Sequence, residues 1–93
     1  MYALIIYLDQ TKLKAANPSK TSRYAPFQIA RTLRKHGFIH WQGAIYFSGE
    51  AANKAACVAA VKDLADKYQW FQRSVAELRM LRITENVDLR TVL

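Results

Sequence analysis

The chain has 93 residues, enough to close one hydrophobic core but too few for a large multi-layer enzyme fold, so a single domain over 1–93 is expected. With 52% hydrophobic residues, 23% charged, three Gly and two Pro it is neither disordered nor low-complexity, and one cysteine excludes an intrachain disulfide or a cysteine-cluster zinc site. Fourteen Lys and Arg against seven Asp and Glu leave a net charge of +7, which favours a phosphate-rich partner, nucleic acid before others, over a merely basic domain.

Residues 2–8 (YALIIYL) are apolar on both alternating faces, as in a central strand. At seven residues the run is far short of the roughly 18–20 needed to span a bilayer, and no basic segment precedes it. A soluble cytoplasmic protein without membrane association is therefore expected. Residues 11–22 read as a polar, basic loop around Asn17-Pro18-Ser19. A helix follows over 24–36, with Pro26 in its first turn, Phe27, Ile29, Ala30 and Leu33 on an apolar side, and Gly37 at its end. Residues 38–41 and 44–48 form two short strands joined at Gln42-Gly43. The next helix, 50–68, carries a stripe of Val58, Val61, Leu64, Ala65 and Tyr68. An aromatic turn at Trp70-Phe71 leads to a strand over 75–84, and 85–93 are a tail or short edge strand.

The order β-α-β-β-α-β predicts an α+β, ferredoxin-like domain: a four-stranded antiparallel sheet, order 4-1-3-2, with two helices on one face. Alternation places Ala3, Ile5, Tyr7 and Asp9 on the open face. Ile45 and Phe47, the greasier pair, are expected to face the helices, leaving Ala44 and Tyr46 open. In the last strand Leu78 and Met80 are assigned to the helices, and Val75, Glu77, Arg79, Leu81 and Ile83 to the open face. Tyr7, Asp9, Ala44, Tyr46, Glu77 and Arg79 then meet at one corner. Asp9 and Glu77 suit a phosphodiester-cleaving or Mg²⁺-binding pair; the plainer reading is an Asp that ends a strand and a Glu paired with Arg79 or Arg82. So much apolar open surface predicts a homodimer through that face. The basic excess lies before Glu50, seven bases to one acid. Arg23, Arg31, Arg34 and Lys35, with Arg79 and Arg82, are the candidate nucleic-acid contacts.

Ser74-Val75-Ala76-Glu77-Leu78-Arg79-Met80-Leu81-Arg82-Ile83, with Glu85-Asn86 and Asp88-Leu89 after it, resembles the C-terminal signature of the virulence-associated protein D (VapD) family. The opening Met1-Tyr2-Ala3, the helix end Lys35-His36-Gly37-Phe38 and Trp41-Gln42-Gly43-Ala44-Ile45-Tyr46 resemble it too, so the likeness covers nearly the whole chain. It implies a fold similar to the small ferredoxin-like CRISPR adaptation proteins, a homodimer, and endoribonuclease activity, often as the toxin of a pair with a small antitoxin protein. The chain departs from the family pattern where Tyr7 stands for an Asp, Ala44 for a Ser, and Ala76-Glu77 for Arg-Asp. Three readings stay open. The first is an endoribonuclease using Asp9, Glu77 and basic side chains, with Mg²⁺ as the metal such carboxylates would take. The second is a catalytically silent homologue that binds RNA or a protein partner. The third is an RNA platform in which Tyr7 and Tyr46 stack on bases, although no RNP1-type opening precedes the third strand.

Overall fold

A computed structural model describes residues 1–16, 24–50 and 52–93. Its elements are β1 (Tyr2–Leu8), α1 (Gln10–Ala16), α2 (Ala25–Lys35), β2 (Phe38–Gln42), β3 (Ile45–Ser48), α3 (Lys54–Lys67), α4 (Gln69–Ser74), β4 (Val75–Arg82) and a last 3₁₀ turn, Leu89–Val92. The strands form one antiparallel sheet in the order β2-β3-β1-β4, the ferredoxin-like arrangement, with the doubly apolar β1 inside it.

The core lies between the sheet and the helices. Leu4 and Ile6 of β1 meet Ile29 and Leu33 of α2, Cys57, Ala60 and Leu64 of α3, and Trp70 and Phe71 of α4. Gly37 (φ 84°) ends α2 in the left-handed region, its N–H donating to the Arg34 carbonyl, and Gly43 (φ 55°) turns the β2–β3 hairpin. Helix α3 starts four residues later than the periodicity suggests. Asn53 caps it, its Oδ1 accepting from Ala56 N at 2.9 Å. Its buried stripe is Cys57, Ala60 and Leu64, while Val58 stays exposed.

Four expectations are corrected, and one left open is resolved. The stretch after Asp9 is helix α1, anchored by buried Leu13, up to Ala16; its remainder lies outside the described residues. The aromatic turn is a helix, α4, that sends Trp70 and Phe71 into the core. On β3 the facing is reversed. The register pairs Leu4 with Tyr46 and Ile5 with Ile45, so Tyr46 (4% exposed) enters the core while Ile45 and Phe47 lie on the open face. Val75 pairs with Leu8 beyond a bulge and packs on the core rather than lying open. The chain after β4 is not a strand. Ile83 adds one ladder bond to the Met1 carbonyl, residues 83–86 pass Met1 and Glu50 at the sheet end, and 86–90 reach Trp41 near the β2 edge.

Candidate active site

β1 and β4 run antiparallel with Tyr7 opposite Glu77 and Ile5 opposite Arg79. Side chains directly opposite share a face, so Tyr7, Glu77 and Arg79 gather on the side away from the helices. Tyr7 is 54% exposed, and the Arg79 guanidinium donates from Nε to Glu77 Oε1. This three-residue corner is the part of the expected cluster that the fold assembles.

Asp9 leaves it. The strand ends at Leu8, after a register shift between Tyr7 and Leu8, so alternation no longer governs the next side chain. Asp9 turns into the N-cap of α1: its Oδ1 accepts from Lys12 N at 2.9 Å, and its own N–H donates to the Ser74 carbonyl at 2.7 Å. Both carboxylates thus make the contacts of the plainer reading.

Ala44 lies opposite Ile6, whose N–H donates to the Ala44 carbonyl at 2.9 Å, and so belongs with Tyr46 to the helix side. A cleft of about 280 Å³ opens there. Tyr7, Gln10, Pro26, Ala44 and Tyr46 are among its walls, which places it beside the first turn of α2. Tyr7 is common to the cleft and the corner. Burial pushes the Tyr46 phenol above its ordinary pKa of 10.0, so the hydroxyl stays a proton donor at neutral pH.

Sequence reasoning overlooked His40. It lies opposite Tyr46, with ring centroids 5.0 Å apart, and its Nε2 is 2.8 Å from the Gly43 carbonyl. A carbonyl can only accept, so Nε2 carries the hydrogen and Nδ1 of the neutral ring is left as the acceptor. The signal available was an imidazole next to the Gln42-Gly43 turn. The other histidine, His36, serves the helix layer: its Nε2 meets Asp63 Oδ2 at 2.8 Å, and Lys67 Nζ reaches the same oxygen at 3.4 Å. These contacts, His36 first, hold the Asp63 carboxyl below its ordinary pKa of 3.8.

The expected basic residues divide. Arg31, Arg34 and Lys35 are exposed on α2, in the helix layer. Arg79 is on the open face, and Arg82, opposite Tyr2, shares the helix-side parity at the far end of β4. Arg23 lies outside the described residues. Lys12 and Lys14 are exposed on α1, whose first residue, Gln10, lines the cleft. Among the described residues no three His, Cys, Asp or Glu side chains form a group able to hold a metal ion. One protomer therefore offers Mg²⁺ only the Glu77 carboxylate at the corner, already paired with Arg79, and that donor set does not make a metal site. No helix among the described residues is long and apolar enough to cross a membrane.

No protein-family model matches the chain. Among curated proteins it is similar to endoribonuclease VapD 2 of Riemerella anatipestifer, 36% identical over 89 residues that span 96% of this chain and 95% of the relative. The endoribonuclease VapD homolog of Helicobacter pylori is 41% identical over 91 residues, 96% and 92% of the two chains. The endoribonuclease VapD of Dichelobacter nodosus is 27% identical over 92 residues, 99% and 96% of the two.

Proposed function

The chain belongs to the VapD family, and from that premise and the geometry of the Tyr7–Glu77–Arg79 corner we propose that it is an endoribonuclease that cleaves RNA phosphodiesters. The observation that carries the reading is likeness over almost the whole of both chains to proteins named for that activity. In the corner, Arg79 supplies positive charge for the scissile phosphate and Glu77 aims its guanidinium. Tyr7 donates a hydrogen bond from its hydroxyl to a phosphate oxygen. Glu77 accepts the proton of the attacking hydroxyl, and the departing alkoxide takes a proton from water.

The functional unit is a homodimer through the open sheet face. Ile5, Ile45, Phe47 and Leu81 lie on that face, with Ile39 at its β2 border, more apolar surface than a lone domain exposes without use. A two-fold axis near Ile5 and Leu81 would bring two copies of the corner together and double its carboxylates. The biological setting is the toxin of a toxin–antitoxin pair, with a small antitoxin protein as partner. A second reading, a silent homologue that binds RNA without cutting it, is favoured by one observation: Tyr7 stands opposite the corner's carboxylate where the family pattern has an acid.

One experiment separates the two. Metal-free protein is incubated with end-labelled RNA, with and without added Mg²⁺, beside Glu77→Gln and Arg79→Ala. Cleavage by the wild type that both replacements abolish supports the enzyme. RNA binding without cleavage under either condition supports the silent homologue.

A further inference from the structure

Trp41 lies far from the corner and is put to no use by the mechanism above. It sits at an irregularity of β2, between His40 and Gln42, with its ring 5.1 Å from that of Phe47 and 58% of its surface exposed. A tryptophan so open, on an edge strand, calls for a reason. The tail supplies a second wall, for residues 86–90 and Trp41 line a cleft of about 660 Å³. That lies within the roughly 300–1,000 Å³ typical of ligand sites. Val87 and Leu89 bring apolar surface to the tail wall, and Asn86 brings an amide with two donors and an acceptor. Asp88 holds Arg90 through the Nε and Nη2 nitrogens, which leaves Nη1 outside the pair.

A flat π-face, an amide at its border and a guanidinium fixed beside it, on a chain of net charge +7, are the complement of one unpaired nucleotide. The geometry points to Trp41 and the 86–90 wall as a stacking subsite for an unstacked RNA base, with Asn86 at the base edge and Arg90 at the phosphate. This rests on the RNA-acting reading and adds to it where a flanking nucleotide is held. Three strand spacings, about 14 Å, separate β2 from β4. The base at Trp41 therefore belongs to a neighbour of the bond at the Arg79 corner, and the subsite selects single-stranded RNA over duplex, whose bases are already stacked.

The test measures binding, so it works on an active or a silent protein. Full-length protein is titrated in EDTA with a short single-stranded RNA carrying 2′-O-methyl groups, with its abasic counterpart, and with the same RNA annealed as a duplex. Tryptophan fluorescence reports on the site directly, because the other tryptophan, Trp70, is buried at 6% exposure. The single strand should quench the emission, and the abasic strand and duplex should quench it little. Trp41→Ala, which lacks the reporting ring and is followed by anisotropy of a fluorescein-labelled strand, should weaken single-strand binding about 5- to 150-fold, the range for loss of one base–aromatic stack, while Trp41→Phe, followed in the same way, keeps most of the affinity. Tight RNA binding unchanged in Trp41→Ala would overturn the subsite and leave the RNA-acting reading standing. No binding of any of the three probes would overturn both. A loss that accompanies dissociation of Trp41→Ala into monomers in sedimentation would also overturn the subsite, making Trp41 an interface residue.

Discussion

Asp9 can be judged as a cap or as a catalyst by two replacements. Asp9→Ala deletes the acceptor for Lys12 N–H and the negative charge at the start of α1. Loss of an N-cap side chain costs about 0.5–2 kcal/mol. A carboxylate at a helix N-terminus contributes about 0.3–1 kcal/mol through the helix dipole. Helix α1 has only seven residues and is fixed by Leu13 and by its contact with α4, so the cap is a sizeable share of what orders it. Asp9→Ala should therefore lose about 1–2 kcal/mol, whereas Asp9→Asn keeps the acceptor and should lose only the charge effect. In a domain this small each kcal/mol shifts Tm by about 4–8 °C, so the two variants separate in thermal unfolding followed by circular dichroism. RNA cleavage measured well below both midpoints should then be close to wild type for Asp9→Asn. A stable Asp9→Asn that has lost cleavage would place Asp9 in the chemistry, and an Asp9→Ala as stable as wild type would refute the cap.

Ile5→Asp should weaken the dimer by roughly 2 kcal/mol or more, since it buries an unpaired carboxylate at the proposed interface; sedimentation showing a wild-type monomer at micromolar concentration would defeat the premise. Replacing Arg31 and Arg34 together by Gln should lower the slope of log affinity against log salt by roughly 1–2 units, and an unchanged slope would move RNA off the helix layer to the Arg79 face. Asp63 has a folded pKa below its ordinary 3.8, so its contribution to stability is present above that value and fades as pH falls through the lower one. Urea unfolding of Asp63→Asn should thus lose stability relative to wild type near neutral pH, and the difference should shrink under strongly acid conditions; a difference independent of pH would assign the effect to packing. Tyr7→Asp places a second carboxylate directly opposite Glu77 and should raise Mg²⁺-dependent RNA cleavage, read on a variant verified as dimeric, and a dimeric variant no more active than wild type would remove the corner from the chemistry.

The sheet order and the two long helices were legible because their signals are local: the two-sided apolarity of residues 2–8, Pro26 and Gly37 bracketing α2, and the turn at Gln42-Gly43. The facing of β3 was not. Ile45 and Phe47 are greasier than Ala44 and Tyr46, and a rule that sends the greasier pair inward assumes that one face is wet. Here both faces are apolar, so hydrophobicity cannot choose, and register does: Leu4 opposite Tyr46 draws the tyrosine ring into the core. Helix α1 was hidden for a different reason. Its single buried side chain, Leu13, gives no period to detect, and the evidence for it is Asp9, a residue type that serves equally as strand end, cap or acid.

The same ambiguity runs through the site. Alternation was a sound guide to Tyr7, Glu77 and Arg79 because β1 and β4 stay in register up to Tyr7, and it failed at the next step because the bulge follows immediately. The corner therefore lies where regular pairing stops and three segments (β1, β4 and the α1 cap) are free to aim side chains differently. At such a place a replaced acid need not be rebuilt by its sequence neighbour: Asp9, two residues from Tyr7, is turned away to hold Lys12. Its nearest substitute in the fold is instead across the strand pair, at Glu77, or, in the proposed dimer, at the Glu77 of a second copy brought in by the apolar face that defeated the facing rule.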